Sequence, residues 1–140
     1  MKTLGLDIGD QWTGIAISDA LGFFARPLKT IKTIDIIAEL TQLLAQEQIS
    51  KIVIGYPKTM SGKISEQTKK IEDMKTNLEQ KIPSITWILW DERLSSKRAQ
   101  TLKPAKTKEE KNRAHSVAAA FILSSYLDFT KPQQVDVDTN

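Results

Sequence analysis

The chain has 140 residues, a formal charge of +3, one histidine and no cysteine. One domain of this length buries roughly two thirds of its unfolded surface, and the missing cysteines exclude disulfides and thiolate metal sites. No apolar run is long enough to cross a bilayer and the first residues lack a signal-peptide pattern, so a cytoplasmic protein without membrane contact is expected.

The opening segment, Leu4 to Asp19, reads as a hairpin: apolar positions run up to Asp7, a Gly-containing turn follows, and Gly14 to Ser18 alternate on the way back. Asp7 therefore falls inside a hydrophobic strand. An ionised carboxylate is costly to bury without a metal, a cation or hydrogen-bond donors around it, which makes Asp7 a candidate metal ligand. Strand-end Asp residues also accept turn N–H groups, and that plainer role suits Asp10 and Asp19, which lie beside turn material.

Gly22 to Leu28 can supply a third strand, with Pro27 at its end or on an edge. From Thr33, a plausible N-cap, Ile36, Ile37, Leu40, Leu43 and Leu44 recur at helical spacing to about Gln48. Lys51 to Tyr56 then reads as a strand buried on both faces. Pro57 to Lys63 form a loop turning at Ser61-Gly62, and Ser65 to Gln80 form a second helix. Ile85 to Trp90 are rich in aromatic and β-branched residues and make a further strand, ending in Asp91-Glu92-Arg93. Ser95 can cap a short helix through Leu102. Ala114 to Phe129 form a last helix, with Val117, Ala118, Phe121, Ile122 and Tyr126 facing the sheet.

Strands alternating with helices after an opening meander imply an α/β domain with a five-stranded mixed sheet flanked by helices. The expected domain is residues 1–130, with a polar, frayed tail over 131–140. Lys97, Arg98, Lys103, Lys106, Lys108, Lys111 and Arg113 crowd one basic loop against only Glu109 and Glu110. Such a run can follow a phosphate backbone or can be an ordinary solvated loop.

Sites in open α/β sheets form where strands end at their carboxyl edges, and Glu92 lies at such an end. If its strand shares a sheet with that of Asp7, the two carboxylates can converge on a hard divalent cation such as Mg²⁺. A third ligand near the start of the last helix would complete a cluster able to hold two ions for in-line phosphoryl displacement. His115 stands there, although a lone helix-start histidine is often only a surface polar residue. The small residues Ala118, Ala119 and Ala120 beyond it would let the helix approach the sheet closely.

Five segments together carry a resemblance: Leu4-Gly-Leu-Asp-Ile-Gly9, Gly14-Ile-Ala-Ile-Ser-Asp19, Val53-Ile-Gly-Tyr-Pro57 with Ser61-Gly62, Asp91-Glu-Arg-Leu-Ser95, and His115-Ser-Val-Ala-Ala-Ala-Phe-Ile-Leu123. Over nearly its whole length the chain resembles the YqgF-type (RuvX-like) family of Holliday junction resolvases and pre-16S rRNA nucleases, whose fold is ribonuclease H-like. The resemblance implies a sheet of strand order 3-2-1-4-5 and a metal-dependent nuclease processing the 5′ end of pre-16S rRNA, with branched DNA as the alternative substrate. It places Asp7 and Glu92 on the first two acidic positions of the family, Arg93 on the neighbouring basic position, and His115 where the third acid usually stands.

Asp7, Glu92 and His115 are thus the expected catalytic and metal-binding set for Mg or Mn. Manganese is the expected preference, since imidazole replaces a carboxylate. Arg93, Lys103, Lys106, Lys108, Lys111 and Arg113 are the expected phosphate contacts. Two departures from the family pattern are Trp12, where a basic residue is common, and Lys58-Thr59-Met60 after the proline. Trp12 can stack on an unpaired base if exposed, or can be hairpin packing.

The expected partners are structured RNA or branched DNA, and the expected state is a monomer or weak homodimer, with symmetric junction cleavage requiring the dimer. A non-catalytic nucleic-acid binder is one rival. An actin-like or sugar-kinase phosphotransferase is another, because its phosphate-binding hairpin looks like Asp7-Ile-Gly-Asp with Gly14, but it needs a second lobe for which 140 residues leave no room.

Overall fold

β1 (Lys2–Ile8) and β2 (Trp12–Ser18) pair antiparallel, with Leu6 opposite Ile15 and Asp7 opposite Gly14. The computed structural model describes residues 1–56, 66–91 and 108–130, with side chains in the last stretch from residue 113. Pleating sends successive side chains to opposite faces, so Leu4, Leu6 and Ile8 enter one core while Gly5 and Asp7 face the other side. The Gly9 N–H closes the turn by donating to the Trp12 carbonyl at 2.9 Å. Glu92, Arg93, Lys97, Arg98, Lys103 and Lys106, the Ser61-Gly62 turn, the short helix from Ser95 and the tail over 131–140 lie outside the described residues.

The third strand is shifted from its expected place. β3 covers Ala25–Lys32 rather than Gly22 to Leu28, because the Asp19 carboxylate accepts the Phe23 and Phe24 N–H groups, each at 2.8 Å, and holds those residues in a turn. Gly22 completes that turn at a φ of +76°. Pro27 sits inside β3, tolerated because β3 is an edge strand with an irregularity in its pairing to β2 between Ile15 and Ala16.

Thr33 does not cap the next helix with its side chain. It opens a single 3-10 turn, Thr33–Asp35, and its hydroxyl donates to the Gly9 carbonyl at 2.8 Å while lying 2.8 Å from the Thr13 hydroxyl. The chain leaving β3 is thereby tied to the hairpin turn. α1 (Ile36–Gln46) follows and buries Ile36, Leu40 and Leu43.

β4 (Ile49–Tyr56) runs parallel to β1, α2 (Glu66–Lys81) crosses back, and β5 (Thr86–Asp91) runs parallel to β4. The sheet has five strands in the order β3-β2-β1-β4-β5, as the resemblance implies. α1 and α2 cover one face, burying Leu6, Ile15, Ile52 and Ile54 against Leu40, Ile71 and Leu78. α3 (Lys108–Thr130) covers the other, packing on Ala16 and Val53.

α3 departs from expectation in two ways. It begins at Lys108, so Lys108, Lys111 and Arg113 belong to its first turns and not to a basic loop. Its buried face is Ser116, Ala119, Ile122, Leu123, Tyr126 and Leu127, whereas Val117, Ala118 and Phe121 are only half-buried. Two strand glycines explain the rotation. A Cβ on Gly5 would come within 2.7 Å of the Leu123 Cβ and 2.9 Å of the Ala119 carbonyl oxygen, so the close approach at Gly5 turns Ala119 and Leu123 toward the sheet.

Candidate active site

The carboxyl ends of β1, β4 and β5 lie along one edge of the sheet, as the pairings Leu6 with Ile54 and Tyr56 with Asp91 require. Asp7 stands at that edge on the α3 side. Its strand partner Gly14 is where α3 comes nearest: a Cβ there would overlap the His115 carbonyl oxygen and come within 2.7 Å of the Ser116 nitrogen. The absent side chain lets the helix descend one strand away from Asp7, and His115 arrives beside it. The buried Ser116 hydroxyl donates to the Arg113 carbonyl at 2.9 Å and so satisfies itself within the helix.

His115 Nδ1 lies 4.0 Å from Asp7 Oδ2, with side-chain exposures of 36% and 25%. The gap exceeds a hydrogen bond. Two donors each about 2.1 Å from a shared cation stand at most about 4.2 Å apart, so the spacing is one that a single ion can bridge. Desolvation raises the Asp7 carboxyl above its ordinary value of 3.8, and the neighbouring imidazole opposes that rise. Among the described residues His115 is the only polar side chain paired with Asp7. A carboxylate held partly out of water with one imidazole beside it is under-neutralised, and an oxygen-and-nitrogen donor pair of this kind fits a divalent cation.

Of the expected set, the structure brings Asp7 and His115 together. No third His, Asp or Glu joins them among the described residues. β5 carries the chain to the same edge as far as Asp91, the residue before Glu92. Arg113 is exposed on the first part of α3. Asp10 is an exposed turn residue 3.7 Å from Lys70. Asp19 is the local acceptor its sequence context suggests, and its bonds from the Phe24 and Phe23 N–H groups hold its carboxyl below the ordinary value. Trp12 is half-buried at the start of β2, on the same face as Gly14 and Ala16. Sequence reasoning passed over Gly14 and Gly5 as packing residues; their signal was a glycine in each of two paired strands facing a helix rich in small residues.

No described helix is long and apolar enough to cross a membrane. The RuvX family, described as Holliday junction resolvase, matches residues 1–129. A protein of Shouchella clausii named "Putative pre-16S rRNA nuclease" is 39% identical over 136 residues, covering 91% of this chain and 95% of that protein. One of the same name from Aster yellows witches'-broom phytoplasma is 42% identical over 137 residues, with 92% and 90% covered. Among solved structures, Thermus thermophilus RuvC in complex with a Holliday junction substrate aligns with a TM-score of 0.57 at 14% identity, over 93% of this chain and 96% of that one. That likeness concerns the fold.

Proposed function

The chain belongs to the RuvX family, and on that footing we propose that it is a divalent-metal-dependent nuclease acting on the 5′ end of pre-16S rRNA. The observation that carries the reading is the 4.0 Å pairing of the partly buried Asp7 carboxylate with His115 at the carboxyl edge of the sheet. Relatives named for cleavage of pre-16S rRNA supply the substrate.

Asp7, Glu92 and His115 would hold the metal. When bound, a divalent cation supplies nucleophile activation and charge neutralisation at the scissile phosphate. Asp7 contributes the anionic oxygen, and its partial burial keeps water from competing for it. His115 contributes a neutral nitrogen where the family usually has an acid, which lowers the negative charge of the site and turns its preference from Mg toward Mn. Arg93, Lys103, Lys106, Lys108, Lys111 and Arg113 would position phosphates. The nuclease domain in this reading is residues 1–130.

The family description favours a second substrate, a four-way DNA junction. A cleavage assay offering structured precursor RNA and a four-way junction side by side, each with Mg²⁺ and Mn²⁺, separates the two. Cutting of the RNA supports the preferred reading, and cutting of the junction alone overturns it. If the parent protein binds RNA but cuts neither substrate with either metal, the chain is a non-catalytic binder.

A further inference from the structure

A groove opens between α2 and the β1–β2 turn, beside Asp7 in sequence but on the α1 and α2 side of the sheet. Its volume is about 370 Å³, and Ile8, Gly9 and Asp10 form one wall. Ile8 and Ile71 are buried in its floor, and half-buried Met74 adds a polarizable thioether. Gln67, Asp73 and Asn77 contribute polar groups from successive turns of α2. Among the described residues these three side chains engage no hydrogen-bond partner, so their donors and acceptors are uncommitted. Lys70 also lines the groove, 3.7 Å from Asp10.

This combination is selective about what can fill it. The apolar floor favours a flat ring over a sugar or a bare anion. The carboxylate of Asp73 accepts from an exocyclic amine, and a carboxamide such as Asn77 or Gln67 can pair with the donor and acceptor edge of adenine. Asp10 and Asp73 outnumber Lys70, which disfavours a polyphosphate and suits a base whose single phosphate stays outside. Uracil offers carbonyl oxygens where adenine and cytosine offer an amine, and would face Asp73 with the wrong partner.

We propose that the groove is a subsite for an unpaired, amino-bearing base, adenine best, of the same RNA strand whose backbone passes Asp7. The turn residues that wall the groove directly follow Asp7, so one strand crossing the turn reaches both. The inference rests on the nuclease reading for the identity of the strand, and its test is read without metal so that the two can fail separately.

The Asp7→Asn protein in EDTA is titrated with short oligoadenylate and short oligouridylate, and backbone N–H shifts are followed by NMR. The expected result is that oligoadenylate binds about tenfold more tightly, with saturating shifts at Gly9, Ile71 and Asn77. Adding Asp73→Asn is expected to reduce that preference to under about twofold, and Asn77→Ala is the second variant should the first not fold. Equal affinity for the two oligomers, shifts confined to α3, or a preference unmoved by both substitutions would overturn the proposal. Absence of cleavage by the parent protein with metal bears on the nuclease reading and not on this binding result.

Discussion

The backbone of His115 occupies the space a side chain on Gly14 would need, and this contact sets the distance between His115 and Asp7. Gly14→Ala should therefore lift the start of α3 from the sheet. Overpacking of this kind costs about 1–3 kcal/mol, seen as a lower denaturation midpoint. Mn²⁺ affinity, measured by calorimetry on the folded variant, is expected to fall as the donor pair opens. A variant with reduced stability but unchanged Mn²⁺ affinity would show that Gly14 does not position the site.

The raised Asp7 value has a defined consequence for the metal-free protein. The folded chain holds the Asp7 proton more tightly than the unfolded chain, so the stability this provides is complete below the unfolded value of 3.8 and is lost as the pH rises through the folded value above it. Asp7→Asn removes that loss. The metal-free variant should unfold at a higher denaturant concentration than the parent at neutral pH, with the gap closing as the pH falls through the same window. Added Mn²⁺ should stabilise the parent more than the variant, and the variant should retain RNA binding without cleavage.

Replacement of His115 by the acid usual in the family tests the origin of metal preference. His115→Asp is expected to lower the ratio of Mn²⁺-supported to Mg²⁺-supported cleavage several-fold, because an oxygen donor replaces the imidazole. Without metal the variant should also be less stable at neutral pH, since two carboxylates then face each other. An unchanged ratio would remove His115 from the ligand set.

Leu123 is fully buried against Gly5 and lies two helical turns beyond His115. Leu123→Ala should cost about 2–5 kcal/mol through lost burial and the cavity left behind. Urea titration should show a lower midpoint with an unchanged slope. Below the transition the cleavage rate should stay near that of the parent, which would separate global packing from the positioning assigned to Gly14.

Much of this molecule was legible before its structure. Leu4, Leu6, Ile15 and Ile17 alternate, and Ile36, Leu40 and Leu43 recur at helical spacing, so the hairpin and α1 follow from local periodicity. The errors came where a distant or competing contact outweighed the local pattern. The Asp19 carboxylate captured two N–H groups and delayed β3. Apolar bulk suggested that Val117 and Phe121 face the sheet, whereas close approach at Gly5 and Gly14 turned Ser116 and Ala119 inward.

By itself the sequence determined the order of the five strands and of the three described α-helices, the family, and Asp7 as a carboxylate in a hydrophobic strand, because each of these is written in neighbouring residues and their spacing. Only the tertiary structure decided that His115 stands 4.0 Å from Asp7 and that the described residues of α2 and the β1–β2 turn line a groove. The first depends on how closely α3 can pack on a strand far from it in the chain, which is governed by the volume missing at Gly14, and the second on how α2 packs beside the β1–β2 turn; no local pattern carries either.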